Sequence, residues 1–420
     1  MSGGSRRPRP REGNAPSLVG SEWELEVGPI AHGGHCVARH EGQVVFVRHT
    51  LPGERVRARV TEGRVGDRFV RADAVEVLDA SPHRVARPCP YAVPGQCGGC
   101  DFQHVAVPHQ RELKAAVVRE QFARIAHLDV DVEVRPVPGD QDGLRWRTRV
   151  EFAVDEAGRA GLREYRSRRV VPIEDCLIAT EGVIASGVLD TDWTGVEAID
   201  VVDAAHPDEP VLVPVGAGDA GADGGLVGEL ARDGDWTGEY VLSARGFWQV
   251  HPGAATTFLT SVVDHLGVGP GDHVLDLYAG SGLFTMRLGE LVGDSGAVLA
   301  VEGDARAVEH GIENCADLAS VEWRANRVDR ELASLARQGI TADLAVLDPP
   351  RTGAGTQVVA SVVAMAPRRV VYVACDPAAL ARDVKAFGSH GYRMTHLEAW
   401  DAFPMTHHVE CIAVLEPVSE

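Results

Sequence analysis

The sequence predicts an α/β protein in which a parallel, Rossmann-like sheet follows a small β-barrel of the OB type and a mostly β central region. Two observations support this prediction. From about residue 250, apolar strand-like runs alternate with helical segments, which is typical of a buried parallel sheet. Before that, residues 17–80 alternate apolar and polar positions between Gly and Pro, as the short strands of a closed barrel do.

The length of 420 residues allows two or three domains. We divide the chain into a disordered tail (1–16), the barrel (17–80), a central domain (81–248) and the parallel-sheet domain (249–420). The tail is rich in Arg, Pro and Gly and lacks an apolar core, so we expect no signal peptide. No run approaches 18 apolar residues, so we expect no membrane span and a cytoplasmic protein. A monomer is expected, because the sequence shows no spare apolar helix or coiled-coil pattern.

The net charge of −20 argues at first against a nucleic-acid partner, but the charge is unevenly distributed. Residues 1–175 hold 27 Lys and Arg against 25 Asp and Glu, which leaves 14 basic and 36 acidic residues in the remainder. Eight arginines fall within residues 144–169. Because local clusters, not net charge, decide phosphate binding, this segment predicts an RNA contact. A solvated strand face is the alternative.

Four of the eight cysteines suggest a metal site. Cys89, Cys97 and Cys100 follow a C-x7-C-x2-C spacing, and Cys176 is the candidate for a fourth ligand. In a reducing compartment such cysteines indicate thiolate ligands more than disulfides. On chemistry alone, zinc and an iron–sulfur cluster are equally suitable, and free thiols remain an alternative. Cys36, Cys315 and Cys411 are expected to be structural.

Residues 271–292 predict a strand, a Gly-rich turn and a helix that together bind a cofactor. Gly280 and Gly282 allow the backbone to approach a ligand at the helix N-terminus. Glu302 ends the next apolar strand, where a carboxylate can bind ribose hydroxyls, and Asp348 ends a later one. Thr285 stands where a dinucleotide fingerprint has its third glycine, which favours S-adenosylmethionine over a nicotinamide cofactor.

A cysteine and a carboxylate are candidates for nucleophilic catalysis on a nucleobase. Cys375 ends the apolar run VVYVAC, after an Asp-Pro-Pro turn, and Glu410 opens a later short strand. Such catalysis needs one activated cysteine as nucleophile and one separate group as general base. His407 and His408, just before Glu410, are RNA contacts or surface histidines on this interpretation.

These segments, LAVLDPPRTG (344–353), VVYVACDPAALARD (370–383) and HHVECIAVLE (407–416), resemble the uracil-5 RNA methyltransferases. Residues 33–60 resemble the TRAM domain, a small RNA-binding barrel. The resemblance implies an S-adenosylmethionine-dependent methyltransferase domain of Rossmann-like fold, with Cys375 as nucleophile and Glu410 as base. It implies cofactor contacts at Gln249, Tyr278, Gly280, Glu302, Asn326 and Asp348.

The cysteine region resembles the branch of this family that holds a [4Fe-4S] cluster, which implies that Cys89, Cys97, Cys100 and Cys176 are its ligands. Two positions depart from the family pattern, since His251 and Leu283 stand where asparagine is usual.

The function implied is methylation of carbon 5 of a uridine in structured RNA, with 23S rRNA favoured over tRNA. Three alternatives remain. An amino-group methyltransferase would have an aromatic residue where this chain has Arg351, and it would not use Cys375. A cytosine-directed enzyme would place its nucleophile in a different segment. A non-catalytic RNA-binding protein with a relict cofactor fold would not need the intact catalytic pair.

Overall fold

The computed structural model describes residues 15–216 and 223–418. The chain forms two compact units that divide between Ala86 and Arg87. Most of the predicted disordered tail, residues 1–14, lies outside the described residues.

The first unit is a closed barrel, as predicted. Its strands, in the described chain, are β1 (Glu22–Ala31), β2 (His35–His40), β3 (Gln43–Arg48), β4 (Arg55–Glu62) and β5 (Phe69–Asp79), in the order β1-β2-β3-β5-β4. Along β4 the buried residues are Val56, Ala58 and Val60, so the alternation in sequence places the apolar residues in the core. Glu54, in the turn before β4, is buried and accepts hydrogen bonds from the guanidinium of Arg84 at 2.6 Å.

The second unit begins with a helix and a mixed region of short strands. These elements are α1 (Val107–Gln121), β6 (Val134–Pro136), β7 (Arg149–Val154), β8 (Ala160–Arg163), β9 (Val170–Pro172), α2 (Glu181–Ala185), β10 (Ala198–Val202), β11 (Val211–Val215), β12 (Leu226–Asp233) and β13 (Trp236–Ser243). Within the described ranges, β11-β10-β7-β8-β9 form one sheet and β12-β13 form a hairpin.

The C-terminal part forms the predicted α/β sheet. Its elements are α3 (Ala254–Leu266), β14 (His273–Leu277), α4 (Leu283–Val292), β15 (Ala297–Glu302), α5 (Ala305–Asn314), β16 (Val321–Ala325), α6 (Val328–Arg337), β17 (Leu344–Leu347), α7 (Thr356–Ala364), β18 (Arg369–Ala374), α8 (Pro377–Ser389), β19 (Tyr392–Asp401) and β20 (Glu410–Pro417). As far as the chain is described, the strand order is β16-β15-β14-β17-β18-β20-β19-β6. Every residue of β17 is buried, as expected for a strand covered by helices on both faces.

One strand joins the predicted central domain to the C-terminal sheet. β6 pairs with β19, with Val134 opposite Ala399, so that residues 87–420 form a single compact unit. The boundary between residues 248 and 249 therefore stays a sequence-based division.

The strand order creates a binding edge. From the neighbouring strands β14 and β17 the chain winds outward in opposite directions, and ligands of such sheets bind at the carboxyl ends of the strands at this point. Because β20 runs antiparallel to β18, its first residue lies at the same edge as the last residue of β18. Across residues 15–216 and 223–418, no helix is long and apolar enough to cross a membrane.

Candidate active site

A cavity of about 930 Å³ lies at the carboxyl edge of the sheet. Tyr278, Gly280 and Glu302 line it, as the sequence predicted for cofactor contacts. Tyr278 has a φ of 64°, a left-handed conformation that is uncommon for an aromatic residue and typical of functional sites. Burial raises the pKa of its hydroxyl to about 12, so the phenol stays neutral.

The Glu302 carboxylate connects two of the turns at this edge. One oxygen accepts a hydrogen bond from the Gly280 amide at 3.1 Å. The other accepts from the amides of Gly303 (2.6 Å) and Asp304 (2.8 Å). The carboxylate is therefore fixed where the β14 and β15 ends meet, and it still faces the cavity.

Two further carboxyl groups lie near this edge. Burial and the neighbouring carboxyl of Asp276 raise the pKa of Asp348 to about 7. Burial raises the pKa of Asp276 to about 7 as well, against the hydrogen bond that Thr285 donates to it. Thr285, which sets this chain apart from the dinucleotide fingerprint, therefore binds a buried carboxyl group.

The other predicted cofactor residues do not line the cavity. Gln249 is buried. The Asn326 side chain donates a hydrogen bond to Glu331 at 2.8 Å, and the adjacent residues Arg327 and Asp329 line the cavity instead. Roles for Gln249, Asn326 and Asp348 in cofactor binding stay predictions.

The two departures from the family pattern are both in the core. His251 is buried and stacks on Trp146, with ring centroids 6.1 Å apart. Leu283 is buried at the start of α4, and its carbonyl accepts a hydrogen bond from the Tyr240 hydroxyl at 2.9 Å.

The backbone brings Cys375 and Glu410 together. β18 and β20 are antiparallel with Ala374 opposite Cys411, so the next facing positions along the pair are Cys375 and Glu410. Asp376 caps α8 by accepting a hydrogen bond from the Ala379 amide at 2.8 Å, which fixes Cys375 at a strand–helix junction. Cys411 is fully buried, as predicted for a structural residue.

The electrostatics of this pair favour neutral groups. Burial raises the pKa of the Cys375 thiol to about 12, helped by the carboxyl groups of Glu410 and Asp348 and opposed by Arg351. Burial, followed by the Asp348 carboxyl, also raises the pKa of Glu410 well above its usual range, again against Arg351. A carboxylate with a raised pKa is a stronger base once ionised.

The four predicted ligand cysteines line one cavity of about 400 Å³. They are Cys89, Cys97, Cys100 and Cys176, and none of them forms a disulfide within the described residues. The Gly99 amide points at the sulfur of Cys97 at 3.4 Å, and the Gln103 amide group points at that of Cys100 at 3.5 Å. Such donors stabilise thiolates that bind metal. Four sulfurs around one cavity suit a thiolate-bound metal centre.

The glycine after Cys97 is required by close packing. The Gly98 amide donates to the Arg163 carbonyl at 3.0 Å, which ties the cysteine loop to β8. A Cβ at residue 98 would lie 2.5 Å from the Tyr165 Cα, so only glycine fits.

Comparison with known proteins agrees with this geometry. A TRAM domain model matches residues 16–75, and a model described as tRNA (Uracil-5-)-methyltransferase matches residues 234–418. A protein of Streptomyces avermitilis, named an uncharacterized RNA methyltransferase, is 48% identical, with 96% of this chain and 100% of the relative covered. A 23S rRNA (uracil(1939)-C(5))-methyltransferase of Alkalilimnicola ehrlichii is 32% identical over 99% of both chains. The chain belongs to the uracil-5 RNA methyltransferase family.

The fold of the methyltransferase is also that of a solved relative. The crystal structure of Pyrococcus abyssi tRNA (uracil-54, C5)-methyltransferase in complex with S-adenosyl-L-homocysteine matches with a TM-score of 0.68 at 21% identity, covering 93% of this chain and 100% of that one. The predicted class of enzyme, its use of S-adenosylmethionine and RNA as its substrate are confirmed by these relatives. The predicted cytoplasmic location and monomeric state stay predictions.

The Arg-rich segment of the methyltransferase is largely paired within the chain. The ion pairs are Arg145 with Asp175, Arg149 with Glu229, Arg159 with Asp155, Arg163 with Glu151, and Arg169 with Glu164. Much of the positive charge predicted to bind phosphate is therefore neutralised by neighbouring carboxylates. The RNA-contacting role of this segment stays a prediction.

Sequence reasoning missed several residues that line the cavity of about 930 Å³ in the methyltransferase. Arg245 and Phe247 reach it from the segment after β13, and Asp304 and Asp329 reach it from the starts of α5 and α6. Asp304 and Asp329 follow the ends of β15 and β16, so the rule that ligands bind beyond strand ends could have found them. The side chain of Phe247 is 74% exposed, and no sequence pattern predicts that exposure.

In the described residues, His265, His396 and Glu398 form a group whose possible ligand atoms all lie within 4.8 Å of one another. The Glu398 carboxylate already binds the Arg135 guanidinium and accepts a hydrogen bond from the Trp400 indole at 3.2 Å. A metal ion would have to displace this arginine, so we interpret the group as a hydrogen-bonded network.

Proposed function

We propose that the enzyme methylates carbon 5 of a uridine in 23S rRNA through a covalent bond between Cys375 and the uracil ring. The observation that carries this proposal is the pairing of β18 with β20, which brings Cys375 and Glu410 together at the edge of the sheet that holds the cofactor cavity. The relative that is similar over 99% of both chains and is named for uridine 1939 of 23S rRNA supports the choice of RNA.

Each residue of the pair has one chemical task. The Cys375 sulfur, once ionised, adds to carbon 6 of uracil, and the ring electrons move onto the carbonyl oxygen of carbon 4 as an enolate. Carbon 5 of the enolate is then nucleophilic. After carbon 5 has gained a methyl group, Glu410 removes its proton, and the electrons of that bond expel the Cys375 thiolate. The net products are the methylated base, S-adenosylhomocysteine and one proton.

S-adenosylmethionine supplies the methyl group and a positively charged sulfonium. The residues proposed to hold it are Gln249, Tyr278, Gly280, Glu302, Asn326 and Asp348. Glu302 is best supported, because three backbone amides fix a carboxylate that faces the cavity and can bind ribose hydroxyls. The target base must leave its stack to reach Cys375, since a strand-end thiol cannot enter a helix of paired bases.

The four cysteines are proposed to hold a [4Fe-4S] cluster. The supporting observation is that all four cysteines line one cavity of about 400 Å³, where amide groups point at the sulfurs of Cys97 and Cys100. Four thiolates are the ligand set of such a cluster. Protein purified without oxygen should be brown and contain about four irons; colourless protein with one zinc would contradict the assignment.

The RNA class is tested by offering 23S rRNA and tRNA separately, with S-adenosylmethionine labelled in its methyl group. Both RNAs should be unmodified transcripts, so that the target uridine is free. We expect label in 5-methyluridine of 23S rRNA. The alternative outcome is labelled tRNA with unlabelled rRNA, since the description of the matching family model names tRNA. That outcome would overturn the choice of 23S rRNA.

A further inference from the structure

The loop between β19 and β20 (residues 402–409) leads directly into Glu410 and is fixed by residues distant in sequence. The amides of Asp101 and Phe102 both donate to the Met405 carbonyl at 2.9 Å. The Gln110 side chain accepts a hydrogen bond from the Met405 amide, also at 2.9 Å. The backbone of this loop is therefore held by the segment that follows the cysteine region.

A buried lysine holds the start of the same loop. Lys114 on α1 is fully buried, forms an ion pair with Asp401 and donates to the Phe403 carbonyl at 3.0 Å. A buried charge needs such partners, so this contact defines one position for the loop.

A chain of side-chain contacts continues from this loop into the active site. Asp101 accepts a hydrogen bond from His407, with 2.6 Å between the carboxylate oxygen and Nδ1. The rings of His407 and His408 are in contact, tilted by 41° with centroids 4.1 Å apart. His408 Nε2 then lies 3.3 Å from an Nη atom of Arg351. The two histidines, which the sequence left as RNA contacts or surface residues, are thus part of a connected series of side chains.

In the hydrogen bond between Arg351 and His408, the donor and the acceptor can be assigned. Burial, followed by the neighbouring His407, lowers the pKa of His408 to about 3, so its ring is neutral. A guanidinium can only donate, so Arg351 donates to Nε2 and the ring proton is on Nδ1. Because the His408 ring is neutral, it orients the guanidinium of Arg351 and leaves the positive charge of that group uncompensated.

Arg351 opposes the acidic surroundings of the catalytic pair. The carboxyl groups that act on Cys375 are Glu410 on β20 and Asp348 after β17, and both favour the protonated thiol. Arg351 acts in the opposite direction on Cys375 and also on Glu410. It lies three residues beyond Asp348, on the exposed side of the same turn.

We propose that Arg351 supplies the positive charge that favours the Cys375 thiolate and the enolate formed from it, and that Asp101, His407 and His408 are positioning residues that orient Arg351. This inference rests on the proposed function, because it concerns the attack of Cys375 on uracil. Asp101 directly follows Cys100, so the same contacts join the cysteine-lined cavity to the active site.

The test measures how fast a covalent enzyme–RNA adduct forms on 5-fluorouridine-substituted RNA at each pH from 6 to 9.5, in a single turnover with S-adenosylmethionine. Arg351→Gln should raise the pKa of the attacking thiol by at least one unit, so that attack becomes about tenfold slower or more at every pH below that pKa. Arg351→Lys, which keeps the charge but not the geometry, should give an intermediate profile. Arg382→Gln, which removes an exposed arginine from α8, is the matched control and should match the wild type.

Variants of the positioning residues test the side-chain contacts that lead to Arg351. His408→Ala and Asp101→Asn should shift the profile in the same direction by a smaller amount, with RNA affinity and the metal content of the cysteine cavity unchanged. Metal content and melting temperature show whether each variant is folded, and the Arg351 variants alone decide the outcome if Asp101→Asn fails to fold.

The possible results are distinct. A wild-type profile for Arg351→Gln, an Arg351→Lys profile no faster than that of Arg351→Gln, or a change in RNA affinity alone would overturn the role of Arg351. An absence of adduct from the wild type with every RNA would instead contradict the proposed function.

Discussion

Cys375 lies among acidic side chains, whereas most reactive cysteines have electropositive surroundings. Burial, Glu410 and Asp348 all favour its neutral thiol. The same surroundings raise the pKa of Glu410, which makes it an effective base once it is ionised. In the free enzyme, the site therefore keeps Cys375 protonated and unreactive. A positive charge near the sulfur is needed to stabilise the thiolate when it attacks.

Alkylation of the free enzyme tests this protection. Because the pKa of Cys375 is raised to about 12, the thiolate fraction should increase about tenfold for each pH unit. We expect the rate of iodoacetamide labelling at Cys375, followed by mass spectrometry of its peptide, to rise through pH 7 to 10 without a plateau. A plateau below pH 9 would show an activated thiol and contradict this account.

Substitution of the two catalytic residues should have different consequences. Cys375→Ala should lower methylation by more than about a thousandfold, since the covalent route is lost. Glu410→Gln should also block turnover but should accumulate protein covalently bound to ordinary uridine RNA, because the proton on carbon 5 stays. Denaturing gels separate the two outcomes, and a Glu410→Gln variant that turns over normally would remove Glu410 from the mechanism.

At the scale of single elements, the glycine in the cysteine loop is the most sensitive position. Gly98→Ala places a Cβ 2.5 Å from the Tyr165 Cα and should break the contact between this loop and β8. We expect loss of metal from the cysteine cavity, measured by metal analysis of purified protein. The matched control is Gly99→Ala, whose Cβ would meet the Cys97 sulfur at an ordinary 3.5 Å. Equal metal content in both variants would show that the loop does not depend on this contact.

The elements also show what sequence can and cannot predict. The strands that carry Cys375 and Glu302 were predictable, because continuous apolar runs end at these residues. The contact of Asp101 with His407 was not, because the two are 306 residues apart and neither lies in a periodic pattern. For Asn326 the motif predicts a cofactor contact, and the structure adds a hydrogen bond from its side chain to Glu331 that the sequence does not indicate.

At the scale of the whole molecule, Cys375, Glu410, the cavity at the carboxyl edge of the sheet and the four cysteines all belong to the compact unit of residues 87–420. The prediction of a barrel followed by an α/β sheet was correct, because strands of a barrel and apolar strands that alternate with helices have different sequence patterns. The join between the last two was not visible in sequence, since it depends on the pairing of the three-residue strand β6 with β19.

Removal of the barrel should separate cofactor binding from RNA binding. A fragment of residues 87–420 should bind S-adenosylmethionine with the affinity of the full chain, measured by calorimetry. Its affinity for RNA should fall by about tenfold or more, because the matched TRAM domain is absent. Unchanged RNA affinity at the same salt concentration would show that the barrel does not contribute to binding.

The central claim is that Cys375 forms a bond with uracil in RNA. It is tested most directly with 5-fluorouridine-substituted 23S rRNA and S-adenosylmethionine, because Glu410 cannot remove fluorine and the bond should persist. We predict an adduct that survives denaturation, carries a methyl group and is linked through the peptide of Cys375, with none from Cys375→Ala. Methylation of ordinary uridine in the same RNA without any adduct on the fluorinated RNA would contradict the covalent mechanism.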